Sequence, residues 1–216
     1  MLFLLLIIFI CVLIYVFFIC HLKIKIKTFF HKGFKPTRGL FGVYCYCGKQ
    51  GSGKTYSVVE YLLHNKDKEI FSNVHLEGIK YTYFNGFSQL LELRSKSNCI
   101  IVYDEIFTAL TRSSKIDTNV LDFLSQMRKR KIIFLTTAQE WLEIPITLRR
   151  YCRFQINCSM KTIANLGILI KNFYDAEQMK WDNLENDYVA PKIETTISKC
   201  LVSVANSYDT FEQIKT

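Results

Sequence analysis

An α/β fold, with a mainly parallel sheet flanked by helices and one N-terminal transmembrane helix ahead of it, is predicted by three stretches of this 216-residue chain. Gly48-Lys49-Gln50-Gly51-Ser52-Gly53-Lys54-Thr55 lies between an apolar run and a run with helical spacing. Cys99 to Tyr103 is apolar throughout and ends in Asp104-Glu105. Met1 to Cys20 carries no ionisable side chain other than Tyr15 and its cysteines.

The apolar start matches the roughly 20 residues of a spanning helix. It lacks the basic opening, short apolar core and small-residue exit of a cleaved signal peptide. Six cations follow from Lys23 to Arg38, and residues 1–59 contain eight cations and no acid. Of the net charge of +9, residues 60–216 therefore hold only +1. That distribution speaks for a membrane surface more than for DNA, although Arg128-Lys129-Arg130-Lys131 could contact phosphates. The positive-inside rule places the remainder of the chain in the cytoplasm, at the inner or plasma membrane of a cell. The division expected is a transmembrane helix (1–21), a basic juxtamembrane linker (22–39), a phosphate-loop ATPase core (40–159), and C-terminal strands and tail completing the domain (160–216).

Phe41 to Cys47 reads as a buried strand, and Val58, Val59, Tyr61, Leu62 and Leu63 read as one face of a helix. Strand, glycine loop and helix thus stand in the order a phosphate-binding loop requires. Its glycines let backbone N–H groups wrap the phosphates, with Lys54 reaching the β/γ-phosphates and Thr55 on Mg²⁺. The nucleotide-binding set is Gly48, Gly51, Ser52, Gly53, Lys54, Thr55 and Tyr56, and the expected cofactors are ATP and Mg²⁺. Cys99–Tyr103 reads as a parallel strand buried on both faces. Asp104 at its tip would hold Mg²⁺ with Thr55, and Glu105 would prepare the attacking water. Ile132 to Thr137 reads as the strand beside it, which makes Gln139 the candidate sensor of the γ-phosphate. Catalysis is thereby assigned to Lys54, Asp104, Glu105 and Gln139. A neighbouring copy could offer an arginine from among Arg128, Arg130, Arg149, Arg150 and Arg153.

Glu69–Leu76 reads as a strand, Phe87–Leu93 and Thr118–Lys131 as helices, and Cys152–Cys158 with Gly167–Tyr174 as strands closing the sheet or forming a hairpin. Asp175 to Thr216 reads as a polar, Tyr-rich tail. The eight cysteines include no Cys-x-x-Cys; Cys45 and Cys47 read as small apolar core residues. No lid segment or acceptor motif of a small-molecule kinase is visible.

Val43-Tyr44-Cys45-Tyr46-Cys47-Gly48 through Thr55 resembles the start of the zonular-occludens-toxin (Zot) family, which includes inner-membrane assembly ATPases of filamentous phages. Phe71-Ser72-Asn73-Val74 resembles that family's second strand, with its asparagine. Ile101-Val102-Tyr103-Asp104-Glu105 resembles its second acidic motif, and Met127 through Gln139 to Arg149 its helix–strand–glutamine region. Ala205-Asn206-Ser207-Tyr208-Asp209-Thr210 is similar to the end of its ATPase domain. The resemblance implies an additional-strand ATPase, related to FtsK/HerA-type pumps, that forms a homo-oligomeric ring. Its implied work is virion assembly with extrusion of single-stranded DNA, in contact with that DNA or with phage coat and assembly proteins. Family members usually place their span after the ATPase domain; here it comes first, which favours a variant phage morphogenesis ATPase over a toxin. Two other readings are a FtsK/HerA-like double-stranded DNA packaging or translocation ATPase and a nucleotide-dependent membrane scaffold without DNA transport.

Overall fold

The computed structural model describes residues 2–18, 22–24, 41–106, 118–163 and 166–208; most of the basic linker, and Asp209-Thr210, lie outside them. Leu2–Phe18 forms a helix (α1) and Leu22–Ile24 a short strand (β1). The span expected over 1–21 is therefore a helix of 17 residues. At 1.5 Å per residue it is about 25 Å long, against roughly 30 Å of bilayer hydrocarbon. Among the described residues no helix is long and apolar enough to cross a membrane.

The sheet is built on β2 (Gly42–Cys47), β3 (Glu69–Ser72), β4 (Thr82–Tyr83), β5 (Cys99–Tyr103), β6 (Ile133–Ala138), β7 (Cys152–Ile163), β8 (Leu166–Asp175) and β11 (Lys192–Lys199). With β1 it has nine strands among the described residues, in the order β1-β11-β8-β7-β2-β6-β5-β3-β4. From β7 to β4 every pair is parallel, whereas β8 runs antiparallel to both β7 and β11. β6 separates β2 from β5, so the strand of the loop and the strand of the acid pair are not adjacent. A small separate ribbon pairs β9 (Lys180–Asp182) with β10 (Asp187–Val189).

β2, β5 and β6 are buried at every residue because helices cover both faces. Strand periodicity of two sends alternate side chains to opposite cores. Val43, Cys45 and Cys47 face Phe134, Phe123, Leu124 and Met127, with α4 (Thr118–Gln126) on that side. Tyr44 and Tyr46 face Val58, Val59 and Leu62 of α2 (Lys54–Leu63) on the other. α3 (Gly86–Glu92) joins the first face through Leu90.

α4 stops at Gln126, before the expected Lys131, and continues as turn. Lys131 takes a left-handed φ of 57° while its N–H donates to Arg128 O and Ile132 N–H to Met127 O at 2.9 Å. This is the two-bond closure that ends a helix and redirects the chain, here into β6. The strand read over Glu69–Leu76 is shorter, at Glu69–Ser72. The polar tail instead contributes β11, whose Thr195, Thr196 and Ser198 are buried. The expected boundary at 159/160 falls inside β7, which runs unbroken to Ile163.

Candidate nucleotide-binding site

The parallel strands carry their C-terminal tips to one end of the sheet, and the loop after β2 forms its centre. Gly48 leaves β2 at φ 150°, where a Cβ would lie 2.5 Å from Ser52 Oγ and 2.6 Å from Cys158 O. Only glycine fits so close a turn. Gly53 caps α2 at φ 86° without a side-chain hydrogen bond, so the first-turn N–H groups stay open to an anion. A Cβ on Gly53 would meet Met160 Cε at 2.8 Å and Leu169 Cδ1 at 2.9 Å. Ser52 Oγ is buried and has no hydrogen-bond partner among the described residues. Lys54 Nζ donates to Gly48 O at 2.7 Å and Lys49 O at 3.2 Å. The ammonium thus rests on loop carbonyls, beside an orphan hydroxyl and an uncapped helix start.

Asp104 reaches this loop from two strands away. Thr55 Oγ1 donates to its Oδ2 at 3.0 Å, and Thr137 Oγ1 donates to its Oδ1. Asn73 fixes the backbone on which the carboxylate stands. Its Oδ1 accepts from Asp104 N–H at 2.7 Å and its Nδ2 donates to Asp104 O at 3.2 Å. The β3–β5 ladder, whose last bond is Asn73 N–H to Val102 O, is thereby prolonged by a side chain. Glu105 adopts a left-handed φ of 55°, and its N–H donates to Thr137 Oγ1 at 2.8 Å. One fully buried hydroxyl therefore accepts from the second acid's backbone and donates to the first acid's carboxylate.

Burial raises the Asp104 pKa above the usual carboxylate value, opposed by the Thr137 and Thr55 hydroxyls and by Lys54. Burial, and then the Asp104 charge, raise that of Glu105, again opposed by Lys54. A carboxyl with a raised pKa beside a triphosphate is suited to take a proton from water. The adjacent oxygens of Thr55 and Asp104 suit a hard divalent cation, and a buried carboxylate short of countercharge fits Mg²⁺.

The loop glycines, Ser52, Lys54, Thr55, Asp104 and Glu105 are brought to this end. Gln139 stands at the tip of β6, where its carbonyl accepts from Gly48 N–H at 3.1 Å; its side chain is exposed. Tyr56 turns its side chain into the core and accepts from Leu201 N–H at 2.6 Å, so only its backbone remains at the helix start. All five candidate arginines lie around the opposite, strand-start end. Arg128 pairs with Glu177, Arg130 donates to Gln126, and Arg153 donates to Phe41 O. Arg149 is 1 % exposed and forks onto Asp187 at 3.1 and 3.3 Å. Thr137 was not singled out from sequence, although its place two residues before Gln139 on the expected strand was a usable signal.

Loop, acid pair and strand order together define a P-loop NTPase fold. No protein-family model matches the chain, and no curated protein does. Among solved structures it shares the fold of the N-terminal domain of zonular occludens toxin from Neisseria meningitidis, at 16% identity and a TM-score of 0.54. The match covers 79% of this chain and 100% of that one. The genome packaging NTPase B204 of Sulfolobus turreted icosahedral virus 2, solved in complex with ATP-gammaS, is 10% identical over 70% of this chain and 97% of that one, with a TM-score of 0.48. The flagellar accessory protein FlaH of Methanocaldococcus jannaschii is 14% identical over 61% and 77%, with a TM-score of 0.45. At 16% identity the likeness to the Neisseria domain speaks for the fold alone.

Proposed function

We propose that this chain is a membrane-anchored ATPase that couples ATP hydrolysis to virion assembly and extrusion of single-stranded DNA. The observation that carries the hydrolytic part is Thr137, which ties Asp104 and the Glu105 backbone together within reach of Thr55 and Lys54. A binding-only switch has no need of a second, proton-accepting acid there. Lys54 would exchange its loop carbonyls for β/γ-phosphate oxygens, and the α2 N–H groups would share the same charge. Thr55 and Asp104 would hold Mg²⁺, which when bound would supply neutralising charge to the phosphates. Glu105 would accept the proton of the attacking water, its raised pKa keeping it a competent base.

The anchor is α1, whose Leu5–Tyr15 stretch is exposed along its length. At 17 residues it is about one turn short of the bilayer hydrocarbon, so spanning would require the bilayer to thin locally around it. Assembly and extrusion come from the resemblance of the motifs to the Zot family, and a ring of copies from the same source.

The test is ATP turnover by the full chain in vesicles, with and without single-stranded DNA. Turnover stimulated by the DNA is expected. Glu105→Gln should lower turnover by about 10²-fold or more while nucleotide binding persists. Assembly that continues undiminished in the Glu105→Gln protein would establish the nucleotide-dependent scaffold instead, and stimulation by duplex DNA alone the packaging pump.

A further inference from the structure

The phosphate loop leaves one direction for the rest of a nucleotide, and we infer that the base of a nucleoside triphosphate lies on Met160 of β7, beside Leu201. The inference rests on the nucleotide reading above, in which the terminal phosphates lie toward Asp104. That acid reaches Thr55 from β5, on the β6 side of β2. A phosphate chain that starts there and passes the open N–H groups of the first turn of α2 carries ribose and base to the other side of β2. The strands on that side are β7, β8 and β11.

Their side chains bracket the first turn of α2. Ile156 and Cys158 of β7 pack on the face that α2 covers, and the period of two puts Met160 on the same face. Met160 pairs with Leu169 of β8, and both side chains crowd Gly53 at the start of the helix. One turn further along, Tyr56 Oη accepts from Leu201 N–H at 2.6 Å. Leu201 arrives there from β11, after Cys200 N–H has donated to Gly167 O at 2.7 Å. A Cβ on Gly167 would lie 3.1 Å from Cys200 Cβ, so the chain after β11 touches β8 two residues beyond Leu169. Met160 thus stands at Gly53 and Leu201 at Tyr56, on the side to which the nucleoside is carried.

The chemistry of these groups suits a base. Met160 keeps 36% of its surface exposed, whereas Leu169 and Tyr56 are buried. A thioether open to solvent beside a phosphate site gains by contact with an aromatic ring, because its polarizable sulfur is attracted to a π-system. Half-buried Leu201 adds aliphatic surface at the edge of that ring. Thr162, exposed and two residues beyond Met160 on the same face, offers a hydroxyl to the ribose or to the polar edge of the base.

Tripolyphosphate, which has the phosphates and no base, separates this site from the loop. Binding of ATP and of tripolyphosphate, each with Mg²⁺, is measured by calorimetry on the full chain in detergent. The wild-type protein should bind both. Met160→Ala should weaken ATP by about 2- to 10-fold and leave tripolyphosphate within about twofold of wild type. On the unaltered chain, 8-azido-ATP should photolabel residues 160–162 or 200–201, and excess tripolyphosphate should suppress the label. Undiminished ATP binding in Met160→Ala would overturn the base site and leave the phosphate loop. Equal losses of ATP and tripolyphosphate would do the same, as would a photolabel confined to residues 75–83 on the β3 side. A wild-type chain that binds neither probe would remove the nucleotide reading itself.

Discussion

Thr137 exposes neither atom of its hydroxyl to water, yet it organises both acids of the site. Thr137→Val keeps the shape and removes the hydroxyl, leaving Asp104 short of a donor and Glu105 N–H short of an acceptor. Such a loss beside a charged group costs about 1.5–3 kcal/mol. Denaturant melts should show that loss for valine and much less for Thr137→Ser, with turnover following the same order. Asp104 gives a pH prediction with a definite sign. Its folded pKa is raised, so the folded state holds the proton more tightly than the unfolded chain. Stability from this group is fully present below the unfolded pKa and declines as pH rises through the folded value. Ligand-free wild-type protein should therefore lose melting temperature relative to Asp104→Asn from acid to neutral pH, and Mg²⁺ with nucleotide should reverse the ordering for wild type. An Asp104→Asn melting profile parallel to wild type would contradict this.

At the level of elements, Arg149 shows how a motif arginine can be structural. It closes α5 (Ile146–Arg149), is buried, and forks onto Asp187 of β10, so the ribbon is fastened under the start of β7. Asp187→Ala would leave that guanidinium buried and unpaired, a loss of about 3–5 kcal/mol. Arg149→Met combined with Asp187→Leu should recover most of it in the same thermal melt. Much of the element plan was legible from sequence because β2, β5 and β6 are apolar on both faces, and that pattern has few alternatives. β11 was not legible. Thr195, Thr196 and Ser198 are polar in composition and become strand only because β8 and β1 flank them. The acids and the loop were legible because their chemistry demands those residue types at that spacing. The hydroxyl of Thr137 was not, since a threonine within an apolar strand looks like any β-branched filler until the register Tyr103↔Thr136 sets it beside Asp104.

For the whole molecule, the strand-start location of all five candidate arginines bears on the proposed ring of copies. None of the five shares an end with Lys54, so a guanidinium from this set could meet the γ-phosphate only across a boundary between copies. If the proposed ring supplies one of them in trans, turnover per chain should rise with protein concentration in detergent solution and level off on assembly, as followed by light scattering on the same samples. Turnover independent of concentration across the assembly transition would remove these arginines from the chemistry.

The β7–β8 ribbon adds a constraint of a different kind. Beyond the last pairing of β7 with β2, Cys47↔Asn157, its two strands run on together to Ile163↔Leu166. Six further residues at about 3.3 Å each carry it roughly 20 Å past the end of β2. Ile163 and Leu166 are bare near its tip, while Met160 at its root lies against Gly53. With β11 alongside as far as Lys199↔Ile168, this extension is a wall on one flank of the loop, and a partner arriving from that flank would meet Ile163 and Leu166 before Lys54.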